Sequence, residues 1–380
     1  MPTKAPRSPL TFALIGCGRI SVKHLKAVLK NGSGLTLCAI VDSNPEAPAN
    51  LLTAVGLSEK KSQQLLNRVH IYADYEEMLQ KEKPNVVAIT VPSGLHYRIA
   101  KAALLSGAHV LLEKPMTMCV SEARELYDLS QSTGCKIAMG HIFRYLPIVA
   151  NLQKDLAAGV FGTLSHGTVC VRWGHDQEYY DQASWRGTWK SDGGALMNQS
   201  VHALDLLCWL MSSEAVSAQA MLARRFHDME AEDVALGTLT LASQAICQIE
   251  GTTNTSPFDH EASFFIRGTQ GTLRVGIRKG RPFFDIRDAS GHKRNFYYLR
   301  KELREKGIRN LLTLLHPHAA IYQDLVAAIH ENRNPIADAK SGYTSVEMVL
   351  AMYLAAREGR QIAIPLDADF ASEDMKGFLG

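Results

Sequence analysis

Two short segments of this 380-residue chain combine residue types that could act together on one ligand. The first is the glycine-rich turn GCGRIS at Gly16–Ser21, and the second is the Glu-Lys-Pro tripeptide at 113–115. Glycines let the backbone approach a pyrophosphate closely, and the amino end of the following helix attracts its negative charge. Ser21 stands where a third glycine is usual. Dinucleotide binding is one interpretation of the turn, and an ordinary strand-to-helix turn is the other.

Asp42 is the next candidate, because it ends the apolar run that follows the glycine turn. An acidic side chain at this place accepts hydrogen bonds from the hydroxyls of an adenine ribose and opposes a 2′-phosphate. No arginine follows in Ser43-Asn44-Pro45 to offset that charge. The sequence therefore predicts NAD rather than NADP. The alternative is that Asp42 caps the next helix together with Asn44 and Pro45.

Lys114 also follows an apolar run, and Pro115 restricts the chain beside it. Its ammonium group could hold a substrate hydroxyl close to a nicotinamide, although a solvated lysine is the alternative. The segment PSGLH at Pro92–His96 follows another apolar run and opens a helix. Its hydroxyl and N–H groups could contact the nicotinamide half of a cofactor, or they could simply cap that helix.

A second constellation lies in the segment Asp192–Asp205, where Asn198 and His202 are four residues apart. This spacing predicts that both side chains lie on one face of a helix. Removal of a hydride from an alcohol carbon leaves a hydroxyl proton that must go to a base, and histidine has a suitable pKa. His202 is therefore a candidate base, and the alternative is a structural histidine in the core.

The elements that would position these residues begin with short apolar runs that alternate with helical segments, which predicts βαβ units. These runs are Phe12–Gly16, Leu35–Val41, Val86–Val91, Val110–Leu112 and Ile137–Met139. One or two helices are expected between Asn44 and Asn67. Right-handed crossovers then give a doubly wound parallel sheet that binds its ligand at the carboxyl ends of the strands.

After about Phe161, longer runs rich in Thr, Val and Ile predict a mostly antiparallel sheet. These runs are 163–173, 234–241, 246–254, 262–267 and 272–277. Helices are predicted at Gly194–Met211, His318–Glu331 and Thr344–Glu358, the last ended by Gly359. We therefore expect a flexible terminus at 1–10, a Rossmann domain at 11–145, and a substrate-binding and oligomerisation domain at 146–380. The carboxyl-terminal helices could pack back on the first domain.

The composition excludes several classes of protein. Lys and Arg number 41 against 38 Asp and Glu, so the chain lacks the basic balance of a nucleic-acid binder. Seven cysteines without a CxxC pair indicate a reducing cytosol. No signal-peptide core or membrane-length apolar run is present, so we expect a cytoplasmic protein. The segment His316-Pro317-His318 lacks partner ligands for zinc, and no metal is expected.

Taken together, the motifs GCGRI, PSGLH, EKP and GGALMNQxxH resemble the Gfo/Idh/MocA oxidoreductase family from Phe12 to about Leu366. The resemblance implies a Rossmann domain and then an α/β domain with an open-faced antiparallel sheet that supports homodimers or homotetramers. It also implies that Lys114 and His202 hold and deprotonate the oxidised hydroxyl, the base varying within the family. Inositol dehydrogenases of the family carry aspartate where Asn198 stands, which disfavours an inositol substrate.

Within the family, four segments look most like UDP-N-acetylhexosamine 3-dehydrogenases, namely Gln177–Asp181, Trp185–Trp189, Met197–Gln199 and Ala351–Leu354. The resemblance implies NAD-dependent oxidation of the 3-hydroxyl of UDP-N-acetylglucosamine or its glucuronic acid. An aminotransferase would then use the product to build 2,3-diamino sugars of lipopolysaccharide, in lipid A or O-antigen. The alternatives are a dehydrogenase of a free or glycosidic sugar and a non-catalytic sensor that binds the cofactor.

Three arginines, Arg144, Arg172 and Arg186, could bind a diphosphate or a sugar carboxylate through paired N–H donors, or could be ordinary surface residues. The predicted cofactor contacts are Gly16, Gly18, Arg19, Ile20, Asp42, Ser43, Pro92, Ser93, Leu95, His96, Glu113, Lys114 and Arg186. The predicted substrate contacts are Lys114, Arg144, Arg172, Tyr179, Asn198, Gln199 and His202.

Overall fold

The computed structural model describes residues 9–30, 34–307 and 317–380. Residues 1–8 of the predicted flexible terminus, and His316, lie outside these ranges. The chain divides into two compact units. The first holds the described residues of 1–116, 124–142 and 315–340, and the second holds those of 117–123, 143–314 and 341–380. Within the described ranges, no helix has both the length and the apolar character needed to cross a membrane.

The first unit is built on a six-stranded sheet in the order β3-β2-β1-β4-β5-β6. All neighbouring strands are parallel. The strands are β1 Leu10–Ile15, β2 Leu35–Val41, β3 His70–Tyr72, β4 Val86–Ile89, β5 His109–Leu112 and β6 Ile137–Met139. The central strands are apolar on both faces, as expected for a parallel sheet covered by helices. The predicted doubly wound parallel sheet is confirmed, and β3 is a short edge strand that was not predicted.

The crossovers of this sheet are helical. The helices are α1 Ser21–Lys30, α2 Ala47–Val55, α3 Glu59–Leu66, α4 Tyr75–Glu82, α5 His96–Leu105 and α6 Val120–Thr133. Two of them, α2 and α3, occupy the predicted helical stretch between Asn44 and Asn67. The strand order reverses between β1 and β4, so a ligand crevice is expected at the carboxyl ends of these two strands.

The second unit contains an eight-stranded sheet in the order β13-β12-β11-β7-β10-β9-β8-β14. Only β7 and β10 are parallel neighbours, and the other pairs are antiparallel. The strands are β7 Leu164–Arg172, β8 Ala215–Ala223, β9 Val234–Leu241, β10 Ile246–Thr252, β11 Glu261–Gly268, β12 Gly271–Arg278, β13 Arg281–Asp288 and β14 Ile362–Ala363. The predicted mostly antiparallel sheet is confirmed, with β8, β13 and β14 as additional strands.

The remaining helices are α7 Val149–Ala157, α8 Gln177–Asp181, α9 Val201–Met211, α10 Asn295–Lys306, α11 Pro317–Glu331 and α12 Ala339–Glu358. The predicted helix at Gly194–Met211 has two parts, because a π-helical segment at Ala195–Ser200 precedes α9. Single π-helical turns often occur at functional sites. This segment carries Asn198 and Gln199 and leads directly to His202.

Candidate functional site

The glycine turn follows β1 directly. Gly16 has a φ of 92°, and a Cβ atom there would lie 2.9 Å from the carbonyl oxygen of Thr90. Only glycine fits this conformation and this space. Gly18 and Arg19 are exposed, Ile20 is half-buried, and the Ser21 hydroxyl donates to the Gly18 carbonyl at 2.5 Å. The turn therefore presents the amino end of α1, where backbone N–H groups attract an anion such as a pyrophosphate.

Asp42 follows β2 and joins that strand end to the glycine turn. Its Oδ2 accepts a hydrogen bond from the Cys17 N–H at 2.7 Å, and its Oδ1 accepts one from the Asn44 N–H at 2.9 Å. The helix α2 starts later, after Glu46, so Asp42 does not cap it. Asp42 is half-buried beside the exposed Ser43. The Asp42 carboxylate is thus held next to the turn, which is what an NAD-binding site requires.

The segment after β4 forms a short 3₁₀ turn at Ser93–Leu95 and then α5. His96 is buried, with Nδ1 2.7 Å from the Pro115 carbonyl oxygen and Nε2 3.0 Å from the Val91 carbonyl oxygen. Burial lowers the pKa of the His96 ring. Because this ring is engaged by the main chain, the parts of the turn that a cofactor could contact are its backbone, the half-buried Pro92 and Ser93, and the exposed Leu95.

The Glu-Lys-Pro segment follows β5 and is held by buried polar contacts. Glu113 Oε1 lies 2.8 Å from His24 Nε2, and Glu113 Oε2 accepts from the Lys114 N–H at 3.2 Å. His24 Nδ1 lies 2.9 Å from the Tyr322 hydroxyl. Opposite the carboxylate, a Cβ atom on Gly140 would lie 2.9 Å from both Glu113 oxygens. The Glu113 side chain is therefore a support for the main chain at Lys114, which is itself half-buried.

These groups lie at one edge of the first unit's sheet. Gly16, Asp42, Ser93 and Lys114 follow β1, β2, β4 and β5, which are parallel neighbours. The carboxyl ends of parallel strands meet at the same edge, and the order reversal between β1 and β4 falls within this set. The edge combines a glycine turn, a helix amino end and the Asp42 carboxylate, and it therefore fits a dinucleotide.

In the second unit, Asn198 is fixed by a buried carboxylate. Its Nδ2 donates to Oδ1 of Asp192 at 2.5 Å, while Oδ2 of Asp192 accepts from the Gly187 N–H at 2.8 Å. Asp192 is buried. This carboxylate thus joins the π-helical segment to the Trp185–Trp189 loop. The sequence showed Asp192 beside the glycine pair but gave no signal for this role.

His202 lies in the first turn of α9 and is half-buried, with its ring 5.5 Å from the ring of Phe143. The four-residue spacing from Asn198 to His202 crosses the boundary between the π-helical segment and α9. The angular relation between these two side chains therefore differs from that of a regular α-helix, because the π-helical turn contains more residues.

A cluster of four side chains in contact, which we call the His175 cluster, lies beside this segment and consists of Gln199, His175, Tyr179 and Arg186. Gln199 Nε2 is 3.2 Å from His175 Nε2, and the His175 ring stacks on Tyr179 with centroids 3.7 Å apart. The Arg186 guanidinium lies 4.0 Å above the Tyr179 ring centroid. Burial and neighbouring histidines lower the pKa of His175 to about 4, so this ring is neutral near pH 7. Nε and Nη1 of Arg186 are buried, with no hydrogen-bond partner among the described residues.

The other two predicted anion-binding arginines are held by carboxylates of the same unit. Arg144 donates to both oxygens of Asp205, at 2.8 and 2.6 Å, and both residues are buried. Arg172 on β7 donates to both oxygens of Glu250 on β10, at 2.6 and 2.7 Å. This carboxylate raises the pKa of Arg172. A ligand anion would have to compete with these ion pairs.

The parallel sheet, the glycine turn and Asp42 are the features of an α/β protein that binds a dinucleotide. Residues 10–141 match the model of the oxidoreductase family with an NAD-binding Rossmann fold, and residues 149–274 match the Gfo/Idh/MocA C-terminal domain. The chain belongs to the Gfo/Idh/MocA family, as the sequence motifs predicted.

Two solved structures are similar over nearly the whole chain. The WlbA dehydrogenase of Bordetella pertussis, in complex with NADH and UDP-GlcNAcA, is 31% identical with a TM-score of 0.82, covering 94% of this chain and 98% of that one. The WlbA dehydrogenase of Chromobacterium violaceum, with the same two ligands, is 29% identical with a TM-score of 0.81, covering 96% and 98%. The D-glucoside 3-dehydrogenase of Escherichia coli K12 is 24% identical over 387 residues, covering 96% of this chain and 100% of that protein.

Proposed function

We propose that this chain uses NAD to oxidise the sugar 3-hydroxyl of a UDP-N-acetylhexosamine, either UDP-N-acetylglucosamine or its glucuronic acid. The observation that carries this proposal is the similarity, over nearly the full length of the chain, to two dehydrogenases whose structures contain NADH and UDP-GlcNAcA. The motifs that resemble nucleotide-sugar dehydrogenases in the sequence support the same class of substrate.

The cofactor belongs at the carboxyl edge of the first unit's sheet. The Gly16–Ser21 turn and the amino end of α1 would hold its pyrophosphate, and Asp42 would accept from the adenine ribose. When bound, NAD supplies the acceptor for the hydride that leaves the sugar carbon. The chain's own residues must hold the sugar hydroxyl and remove its proton, and we assign these roles to Lys114 and His202.

The sugar contacts are assigned to the second unit. Asp192 orients Asn198 by accepting from its Nδ2, so Asn198 offers a neutral, fixed amide for a sugar hydroxyl. Gln199 and Tyr179 belong to the His175 cluster beside it. Arg186 is the predicted anion ligand, because two of its buried guanidinium nitrogens have no hydrogen-bond partner among the described residues. Arg144 and Arg172 instead support the unit through their carboxylate partners.

A second candidate is oxidation of a glycosidic sugar at the same position. It is favoured by the E. coli D-glucoside 3-dehydrogenase, which is similar over the whole chain although less identical. Both candidates give a 3-keto sugar. In the first case an aminotransferase would consume the product, and we expect the enzyme to act as a homodimer or homotetramer.

The candidates are separated by incubating the protein with NAD and, in parallel, UDP-N-acetylglucosamine, its glucuronic acid and methyl glucoside. Hydroxylamine traps any ketone, because the equilibrium of alcohol oxidation can favour the alcohol, and mass spectrometry then identifies the product. A trapped ketone from a UDP-sugar supports the proposal. A ketone from methyl glucoside alone supports the second candidate, and no ketone from any sugar contradicts both.

A further inference from the structure

Glu232 is a fully buried carboxyl group that none of the roles above uses. It precedes β9 and contacts the first turn of the π-helical segment twice. Its main-chain oxygen accepts from the Ala195 N–H at 2.9 Å, and its Oε1 accepts from the Leu196 N–H at 2.8 Å. The Tyr353 hydroxyl on α12 donates to the same Oε1 at 3.0 Å. One side chain therefore joins the start of the π-helical segment to α12.

The second oxygen of this carboxyl group, Oε2, is buried without a hydrogen-bond partner among the residues that the structure describes. Gly194 packs directly against it, since a Cβ atom there would lie 2.2 Å from Oε2 and 2.1 Å from the main-chain oxygen of Glu232. A side chain at position 194 would therefore displace Glu232. The carboxyl group is enclosed by the main chain of 194–196 and by Tyr353.

Three groups act on Glu232 besides its burial, namely the Leu196 N–H from the π-helical segment, the Tyr353 hydroxyl from α12, and the neighbouring Asp233 from its own segment. The two donors favour the charged form through their hydrogen bonds to Oε1, whereas Asp233 and burial disfavour it, and burial has the largest effect. None of these groups carries a positive charge, and Asp233 is itself a carboxylate. Burial raises the pKa of Glu232 to about 8. Burying an ionised carboxylate with an unpaired oxygen is costly, so the neutral acid is the form that this site accommodates.

We propose that Glu232 is a positioning residue that holds the π-helical segment, and with it Asn198, Gln199 and His202, in its working shape only while its carboxyl group is protonated. This inference rests on the proposed function, which gives those three residues their roles. Loss of the proton places a charge against Gly194, where Oε1 has two hydrogen-bond donors but Oε2 has none among the described residues, and the segment must shift before water can reach Oε2. Substrate turnover then falls at alkaline pH because the segment shifts, and not because a reacting group changes its protonation.

The test compares the wild type with Glu232→Gln, which is neutral at every pH and nearly isosteric. The matched control is Glu358→Gln, a more exposed carboxylate on the same helix as Tyr353. Difference infrared spectroscopy of the NAD-bound protein should show a protonated carboxyl band that disappears with a midpoint near 8. The band should be present in the wild type and in Glu358→Gln and absent in Glu232→Gln. The absence of this band from the wild type at neutral pH would overturn the proposal.

Positioning is read without any sugar by hydrogen exchange of the peptide 194–202, with the variants compared at the same pH. Above the midpoint the wild type should exchange about tenfold faster than Glu232→Gln, which corresponds to a tenfold change in the opening equilibrium. Equal exchange at every pH would overturn the proposal. If exchange behaves as expected but no sugar is oxidised, the proposed function fails while the control of the segment by Glu232 stands.

Turnover completes the test. With an active sugar, kcat/KM of the wild type should fall about tenfold per pH unit above the midpoint, as for loss of a single proton. Glu232→Gln should lose this decline and keep kcat at pH 7 within about threefold, and Tyr353→Phe, which removes a hydroxyl donor to the carboxylate, should move the decline to higher pH. An unchanged decline in Glu232→Gln would assign it to another group and contradict the proposal.

Discussion

Nε2 of His24 and Oε1 of Glu113 lie 2.8 Å apart, and both side chains are buried in the first unit. The Tyr322 hydroxyl engages the other ring nitrogen of His24. Glu113 is the residue before Lys114, and its second oxygen accepts from the Lys114 N–H. The proposed catalytic lysine is thus attached to a main chain that is fixed from inside the unit. His24, Glu113 and His318 are close enough to hold a metal ion, but both ring nitrogens of His24 already have hydrogen-bond partners.

Replacement of His24 by alanine should lower the free energy of unfolding by about 2–4 kcal/mol, because it removes the contact between His24 and the buried Glu113 carboxylate and opens a cavity. The matched control is His70→Ala, since His70 contacts Glu82 at 2.6 Å but is mostly exposed. The control should lose less than about 1 kcal/mol. Chemical denaturation of the two variants checks this difference, and equal losses would show that the His24 contact has no special weight.

Lys114→Ala and His202→Ala should each lower kcat at least about a hundredfold, since each removes a group assigned to the hydroxyl proton. NAD binding should stay within a few-fold of the wild type, because the glycine turn and Asp42 are unchanged. Isothermal titration with NAD and steady-state kinetics with the active sugar measure the two effects. Wild-type turnover in either variant would remove that residue from the proposed chemistry.

Asp42→Asn should relax the discrimination against NADP at least about tenfold. Asparagine keeps one side-chain oxygen, which can accept from either the Cys17 or the Asn44 N–H group, but it loses the charge that opposes a 2′-phosphate. The matched control is Asp74→Asn, a carboxylate that caps α4 in the same unit. The ratio of NAD to NADP affinity checks the prediction, and an unchanged ratio would place Asp42 outside the cofactor site.

Replacement of Arg144 should lower stability, whereas replacement of Arg186 should weaken ligand binding. Arg144→Met removes the ion pair that Arg144 makes with the buried Asp205 carboxylate, so the free energy of unfolding should fall by about 3–5 kcal/mol. Arg186→Met breaks no ion pair with any residue that the structure describes, and it should instead weaken the binding of a ligand at least about tenfold. Binding of NAD and of the nucleotide sugar, measured separately, shows which ligand Arg186 meets. Unchanged affinity for both would show that Arg186 binds neither.

The raised pKa of Glu232 also predicts how stability depends on pH. In the folded protein the group keeps its proton up to a pKa of about 8, whereas in the unfolded chain it loses the proton near its ordinary pKa of 4.5. The stability it contributes is therefore complete below the lower value, falls as the pH rises between the two, and is lost above the higher. The melting temperature of the wild type should fall relative to that of Glu232→Gln over this range. Parallel melting curves would contradict a raised pKa.

The local patterns predicted the parallel sheet well, because glycine turns and short apolar runs are determined by neighbours in sequence. They missed β8, whose sequence AVSAQAMLA is rich in alanine, and β13, which carries charged residues and begins with three exposed residues. The pairing of both strands depends on the adjacent strands rather than on their own composition. The π-helical segment was predicted as ordinary helix, and its contact with Glu232 could not be predicted because that residue lies more than thirty residues away in sequence.

Several side chains around the site also depend on partners that are distant in sequence, which the sequence alone could not identify. The types and spacing of Lys114, Asn198 and His202 identified them as candidates. The carboxylates that pair with Arg144 and Arg172 lie 61 and 78 residues further along the chain, so the sequence could not show that these arginines are engaged. Buried partners such as His24 and Asp192 carry no local signal, because only the fold brings them to the residues they support.

The proposed reaction removes a hydride from carbon 3 of a UDP-N-acetylhexosamine. Its most direct test uses UDP-N-acetylglucosamine and its glucuronic acid labelled with deuterium at carbon 3, and the same sugars labelled at carbon 4 as controls. We predict that NADH formed from at least one 3-labelled sugar carries the deuterium, and that NADH from the 4-labelled sugars does not. Unlabelled NADH from the 3-labelled sugars, or no NADH from either sugar, would contradict the proposed function.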